Sequence, residues 1–112
     1  MIDKYTFGSI TIGVKTYHSD VLITPEGVDD AWWRREGHRL RVEDLKKVIS
    51  AHPDTLVVGT GYFGEMRIDP AVTEALKKEG IALFASRTSR ACDEFNRLRS
   101  AQKVVAALHL TC

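Results

Sequence analysis

The run Gly59-Thr60-Gly61-Tyr62-Phe63-Gly64 follows the β-prone stretch Thr55-Leu56-Val57-Val58. It matches G-x-G-x-x-G, the pattern in which a strand-to-helix turn offers backbone N–H groups to a pyrophosphate. Two parts of that chemistry are missing. A dinucleotide turn sets its last glycine in the first turn of the following helix, whereas here the next helix signal, Asp69-Pro70, comes five residues after Gly64. The acid expected about twenty positions further on is also absent, the region reading Ile81 to Ser86. Two roles remain for Gly59, Thr60 and Gly61: a sharp turn in which glycine lets backbones approach closely, or a site for a small anion or carboxylate built from the loop's N–H groups. Met66 and Ile68 are expected to tuck the rest of the loop onto the core.

A second polar segment, Ser86-Arg87-Thr88-Ser89-Arg90, follows the next apolar run. In open α/β sheets ligands collect beyond the carboxyl ends of the parallel strands, so the loops after Val58 and Ala85 are expected to share one rim. Arg87 and Thr88 supply a guanidinium, a hydroxyl and a helix N-terminus, which together can cradle an anion. Alternatively, Thr88 or Ser89 simply caps the helix and Arg87 is solvated. Asn96, two turns further on, adds an amide if it faces the same cleft. Cys92, early in this helix, is placed where the helix dipole can activate a thiol, yet it shares a stripe with Phe95 and fits inert packing as well.

Trp32-Trp33-Arg34-Arg35-Glu36-Gly37-His38-Arg39 concentrates aromatic, basic and imidazole groups. Partial burial in the core, a partner surface made by Trp33, Arg34 and His38, and stacking on nucleic acid all fit that mixture. Sixteen Lys and Arg against fifteen Asp and Glu give a net charge of +1, which argues against nucleic acid and against an anionic membrane. His18, His38, His52 and His109 lack ligand spacing to one another or to cysteine, so no metal and no cofactor are expected. Neither a G-x-S-x-G elbow nor a pair of carboxylates suited to acid–base work stands out, and whether the chain is an enzyme stays open.

The elements that must position these groups follow from periodicity. From Tyr5 to Thr24 short alternating runs broken by turns read as antiparallel strands, and Val28 to Arg41 reads as a loop or irregular strand. Leu45, Val48 and Ile49 mark a helix over about 43–51, and Asp69-Pro70 through Gly80 marks a second. Ile81–Ala85 is a strand, a helix begins at Thr88 or Ser89, and Val104–Leu108 closes the sheet. Helices alternating with strands at this spacing require crossover connections and hence parallel strands. The expected fold is a single α/β domain over residues 1–112, with a central, mostly parallel mixed sheet and an N-terminal antiparallel β layer. The two cysteines show no disulfide framework, the start shows no secretory signal, and no apolar run is long enough to span a membrane, so a cytoplasmic protein is expected.

Taken in order, Trp33-Arg34-x-x-Gly37-His38, Val58-Gly59-Thr60-Gly61, Thr88-x-x-Ala91-Cys92-x-x-Phe95-Asn96-x-Leu98 and Val104-Val105-Ala106-Ala107-Leu108 resemble a small α/β family of unassigned activity. That family includes the adipogenesis-associated domain protein and a mitochondrial assembly factor for respiratory complex I. The resemblance implies a β layer beside a mixed sheet, and a suspected cleft that would use Thr60, Gly61, Thr88 and Asn96. Phe95 stands where the family often has tyrosine. The missing catalytic groups and the exposed-type Trp/Arg segment point to a non-enzymatic protein-binding or assembly-helper module acting on a protein partner or a second copy. The alternative is a binder or enzyme for a small anionic ligand.

Overall fold

The computed structural model describes residues 1–112. Three short strands, β1 (Ile2–Thr6), β2 (Ser9–Ile12) and β3 (Lys15–Tyr17), form an antiparallel meander. A hairpin of β4 (Val21–Thr24) and β5 (Gly27–Asp29) follows. After an irregular stretch, β6 (Arg39–Leu40) leads through the 3-10 turn Val42–Leu45 into α1 (Lys46–Ala51). The rest alternates: β7 (Thr55–Thr60), β8 (Arg67–Ile68), α2 (Pro70–Lys78), β9 (Ala82–Ser86), α3 (Thr88–Leu98) and β10 (Val104–His109).

The main sheet has the order β5-β4-β10-β7-β9. Strand β10 lies parallel to β7, β7 lies parallel to β9, and β4 joins the other side of β10 antiparallel. The N-terminal strands thus divide their work, β4 and β5 extending the sheet while β1, β2 and β3 form a separate layer.

Alternation along the strands feeds two cores. Val57, Val104, Ala106, Leu108, Val21 and Ile23 face α3 (Ala91, Cys92, Phe95, Leu98) and the β layer (Ile2, Ile10). Leu56, Val58, Val105, Ala107 and Leu22 face α1, α2 and the buried Trp32, Leu40 and Met66. A sheet covered on both faces explains why its central strands read as unbroken apolar runs.

The expected helix over 43–51 divides into a 3-10 turn and six α-helical residues. The Asp44 carboxylate accepts the Arg41 N–H at 2.8 Å and tightens the entry, and His52 ends the helix in the left-handed region at φ 47° just before Pro53. Helix α2 begins as its sequence requires: the Asp69 carboxylate accepts the Ala71 N–H at 3.1 Å and Pro70 occupies the first turn.

Candidate functional site

The register Gly59↔Ser86 sets the carboxyl ends of β7 and β9 side by side, so the two polar loops share one rim as expected. They are stitched to each other. The Thr60 hydroxyl donates to the Ser86 carbonyl at 3.0 Å, the Thr88 hydroxyl accepts the Gly61 N–H at 2.9 Å, and the Thr88 N–H donates to the Gly61 carbonyl at 3.1 Å. Thr88 also donates its hydroxyl to the His109 carbonyl at 2.6 Å. Thr88 is therefore a fully buried tie among three strand ends and caps nothing; the N-cap of α3 is Arg87, with no side-chain cap.

The glycines permit close approach. A Cβ on Gly59 would lie 2.7 Å from the Thr88 Oγ1, and one on Gly61, where φ is +109°, would lie 2.5 Å from the Cys112 carbonyl oxygen. Tyr62, Gly64, Glu65 and Met66 also spend their N–H groups inside the chain, on Thr111, Gly61, Cys112 and Thr60 carbonyls. Most of the loop's amides, which the sequence offered to an anion, are thus taken up by its own backbone, by Thr88 and by the segment after β10. Met66 is buried and Ile68 half-buried, as the sequence implied.

Asn96 lies elsewhere. Its Oδ1 accepts the Ile2 N–H at 2.9 Å and its Nδ2 donates to the Ile2 carbonyl at 2.7 Å, so the amide fastens β1 to α3. It lies eight positions beyond Thr88, about 12 Å along the helix axis. Arg87 is exposed and runs across Gly64, where an added Cβ would lie 3.2 Å from its Cγ. Burial, with the nearby Asp93 charge, pushes the Cys92 thiol up to about 12, which places it with the inert core groups.

The Trp/Arg segment separates by burial. Trp33 is 76% exposed and His38 is exposed, whereas Arg34 is 7% exposed and cannot be offered to a partner. Its guanidinium lies 4.8 Å from the Trp32 ring centroid and donates to Asp20 Oδ2 at 2.8 Å and to the Gly37 carbonyl at 2.6 Å. His109 Nδ1 stands 2.7 Å from the same Asp20 oxygen, so Nδ1 carries the proton and donates it there. The Leu110 N–H donates to Asp20 Oδ1 at 2.8 Å. Burial raises the Asp20 carboxyl, but the bonds from His109 and Leu110 and the charge of Arg34 outweigh it and hold the group below its ordinary value. No group of three or more His, Cys, Asp or Glu side chains is arranged to hold a metal.

Sequence reasoning missed this trio because Asp20, Arg34 and His109 are distant along the chain. The signal was present in His109, a polar residue continuing a strand buried at every position.

The same rim carries a feature of a different kind. Phe7, in the turn after β1, and Tyr62 and Phe63, in the glycine loop, are 50%, 47% and 56% exposed. Their centroids lie 5.0 to 6.2 Å apart, and the half-buried Tyr5 lies 6.3 Å from Tyr62. The segment after β10 locks the two loops together. Leu110 accepts the Tyr5 hydroxyl at 2.8 Å and the Gly8 N–H at 2.8 Å, and Thr111 accepts the Tyr62 N–H at 2.7 Å. Aromatic residues at two of the three variable positions of the glycine pattern, Tyr62 and Phe63, were the legible trace of this patch.

Comparison with known proteins places the chain in a family and agrees with its fold. The chain is 38% identical over 110 residues to the zebrafish (Danio rerio) protein named NADH dehydrogenase (ubiquinone) 1 alpha subcomplex assembly factor 3, the match covering 96% of this chain and 62% of that one. The Xenopus tropicalis protein of the same name is 37% identical over 63 residues, 56% of this chain and 34% of its own length. The chain therefore spans less than two thirds of these relatives. Among solved structures, a conserved hypothetical protein from Pyrococcus horikoshii OT3 superposes with a TM-score of 0.86 at 25% identity, covering 100% of this chain and 99% of that one. The family described as "Protein of unknown function (DUF498/DUF598)" matches residues 2–109, and to that family this chain belongs.

Proposed function

We propose that this chain is a non-enzymatic protein-binding domain of the assembly-helper type, and that the Phe7–Tyr62–Phe63 patch is its partner surface. The observation that carries this is three neighbouring aromatic side chains, each about half exposed, held on loops fastened by backbone hydrogen bonds at Gly8, Tyr62 and Gly64. Contiguous apolar surface on a folded domain marks an interaction site, and rigid aromatic anchors bind at small entropic cost. The relatives named as assembly factors support the same reading. No helix is long and apolar enough to cross a membrane. The free thiols of Cys92 and Cys112 support a reducing, cytoplasmic setting.

Co-purification from the native host with quantitative mass spectrometry tests the reading. Wild-type protein is expected to retain a defined partner that Phe63→Ser releases at unchanged melting temperature, since Phe63 contributes little to either core. Equal recovery by both proteins would exclude the patch.

A second reading, a small-anion site, draws support from the uncapped start of α3 beside Arg87. A thermal-shift series with phosphate, nucleotides and carboxylates tests it, because an anion at a hundredfold its dissociation constant stabilises by about 2.7 kcal/mol. An unchanged melting temperature across the series removes this reading.

A further inference from the structure

We propose that the aromatic patch, with Arg87 and Arg90 beside it, receives a short linear segment of a partner protein in which an apolar anchor residue is flanked by acidic side chains. This deepens the protein-binding reading above and rests on it.

Size argues for a short segment. With each aromatic side chain offering ~150–250 Å², three at about half exposure present roughly 300 Å². A stable protein–protein interface takes about 800 Å² from each partner. A symmetric dimer through this patch alone is therefore too small, whereas one or two inserted side chains fill it.

Charge argues for acidic flanks. Arg87 crosses Gly64 next to Phe63, and Arg90 follows one turn along α3; neither makes an ion pair within the chain. Asp93, the first acid of α3, lies one turn beyond Arg90 and away from the helix start, and Glu94 is held by Arg97 Nε and Nη2 at 2.8 Å. The start of α3, which no side chain caps, adds the positive end of a helix dipole beside Arg87. Glu65 is the single acid of the glycine loop, and it is outnumbered. The rings favour a peptide anchor over a nucleobase: Tyr62 and Phe63 meet edge to face at 73°, Phe7 and Tyr62 at 69°, so they pack on one another and do not present a flat stacking face.

Selection of phage-displayed random peptides on the intact chain tests this, with the best sequence then synthesised and titrated. Peptides pairing Phe, Trp or Leu with Asp or Glu are expected. Their binding should weaken about tenfold, equivalent to ~1.4 kcal/mol, in Arg87→Glu/Arg90→Glu and also in Phe63→Ser, and should weaken further as salt rises. All substituted positions are exposed, and an unchanged melting temperature confirms that each variant is folded. Enrichment of uncharged or basic apolar peptides that Phe63→Ser abolishes overturns the acidic chemistry while leaving the patch a protein site. An empty selection, or enrichment indifferent to Phe63→Ser, overturns the proposal, as does a Phe63-dependent dimer or preferential binding of single-stranded poly(U). The co-purification experiment then decides separately whether a folded partner uses the surface.

Discussion

Replacing Arg34 with methionine is expected to lower the unfolding free energy by about 2–4 kcal/mol, read as a shift in the urea midpoint at constant slope. The guanidinium is almost wholly buried and faces the Asp20 carboxylate at 2.8 Å, with the Trp32 ring beneath it. Methionine keeps most of the stem's packing but leaves Asp20 charged with only His109 and Leu110 to compensate, and the penalty is that of a partly desolvated, half-paired carboxylate. Asp20→Asn in the Arg34→Met background is expected to recover part of the loss, since it removes the orphaned charge; an additive double mutant would show that the pair is not coupled. The pH dependence has a fixed sign. The folded-state pKa of Asp20 is depressed, so its contribution is fully present above the unfolded value of about 3.9 and is lost as pH falls through the lower folded value. Stability of the wild type should therefore drop in acid below about pH 4, and the drop should be shallower in Arg34→Met. A steeper acid dependence in the variant would contradict the assignment.

Gly61→Ala is expected to cost about 2–4 kcal/mol and to lower the melting temperature by roughly 10–15 °C. Two penalties coincide: φ of +109° is hostile to any side chain, and the new methyl would meet the Cys112 carbonyl oxygen at 2.5 Å and the Thr111 oxygen at 2.8 Å. Gly13→Ala separates them. Gly13 has φ of +65° with nothing within 4 Å of an added Cβ, so only the backbone penalty of about 1–2 kcal/mol applies. Equal melting temperatures for the two variants would mean that the segment after β10 does not pack against the loop in solution.

Periodicity carried the architecture because both cores are apolar and the covering helices are separated by clear stops. The Pro70 start, the Gly80 stop and the run Val104–Leu108 each express a local rule that tertiary structure had no reason to override. Thr88 was misjudged for the opposite reason. Its type and place suit a cap, but its hydroxyl is claimed by Gly61 and His109, contacts that exist only once three strand ends meet. Asn96 likewise serves Ile2, ninety-four residues away in sequence, and no local pattern reveals that bond. Burial and a partner surface were both open for Arg34, and nothing local decided between them, because its half-buried partner Asp20 occupies a turn that carries no chemical signature of its own. The aromatic patch was half legible: Tyr62 and Phe63 were visible in the glycine pattern, but their neighbour Phe7 comes from the opposite end of the chain.

Strand β10, last along the chain, occupies the middle of the main sheet. A polypeptide still being translated therefore holds two separate half-sheets, one ending at β4 and the other at β7, each with an unprotected edge able to pair wrongly. Insertion of residues 104–109 joins them, and residues 110 and 111 then draw Phe7 and Tyr62 together. The Phe7–Tyr62–Phe63 cluster is thus assembled only after β10 has taken its place, so its geometry depends on the last strand to enter the sheet.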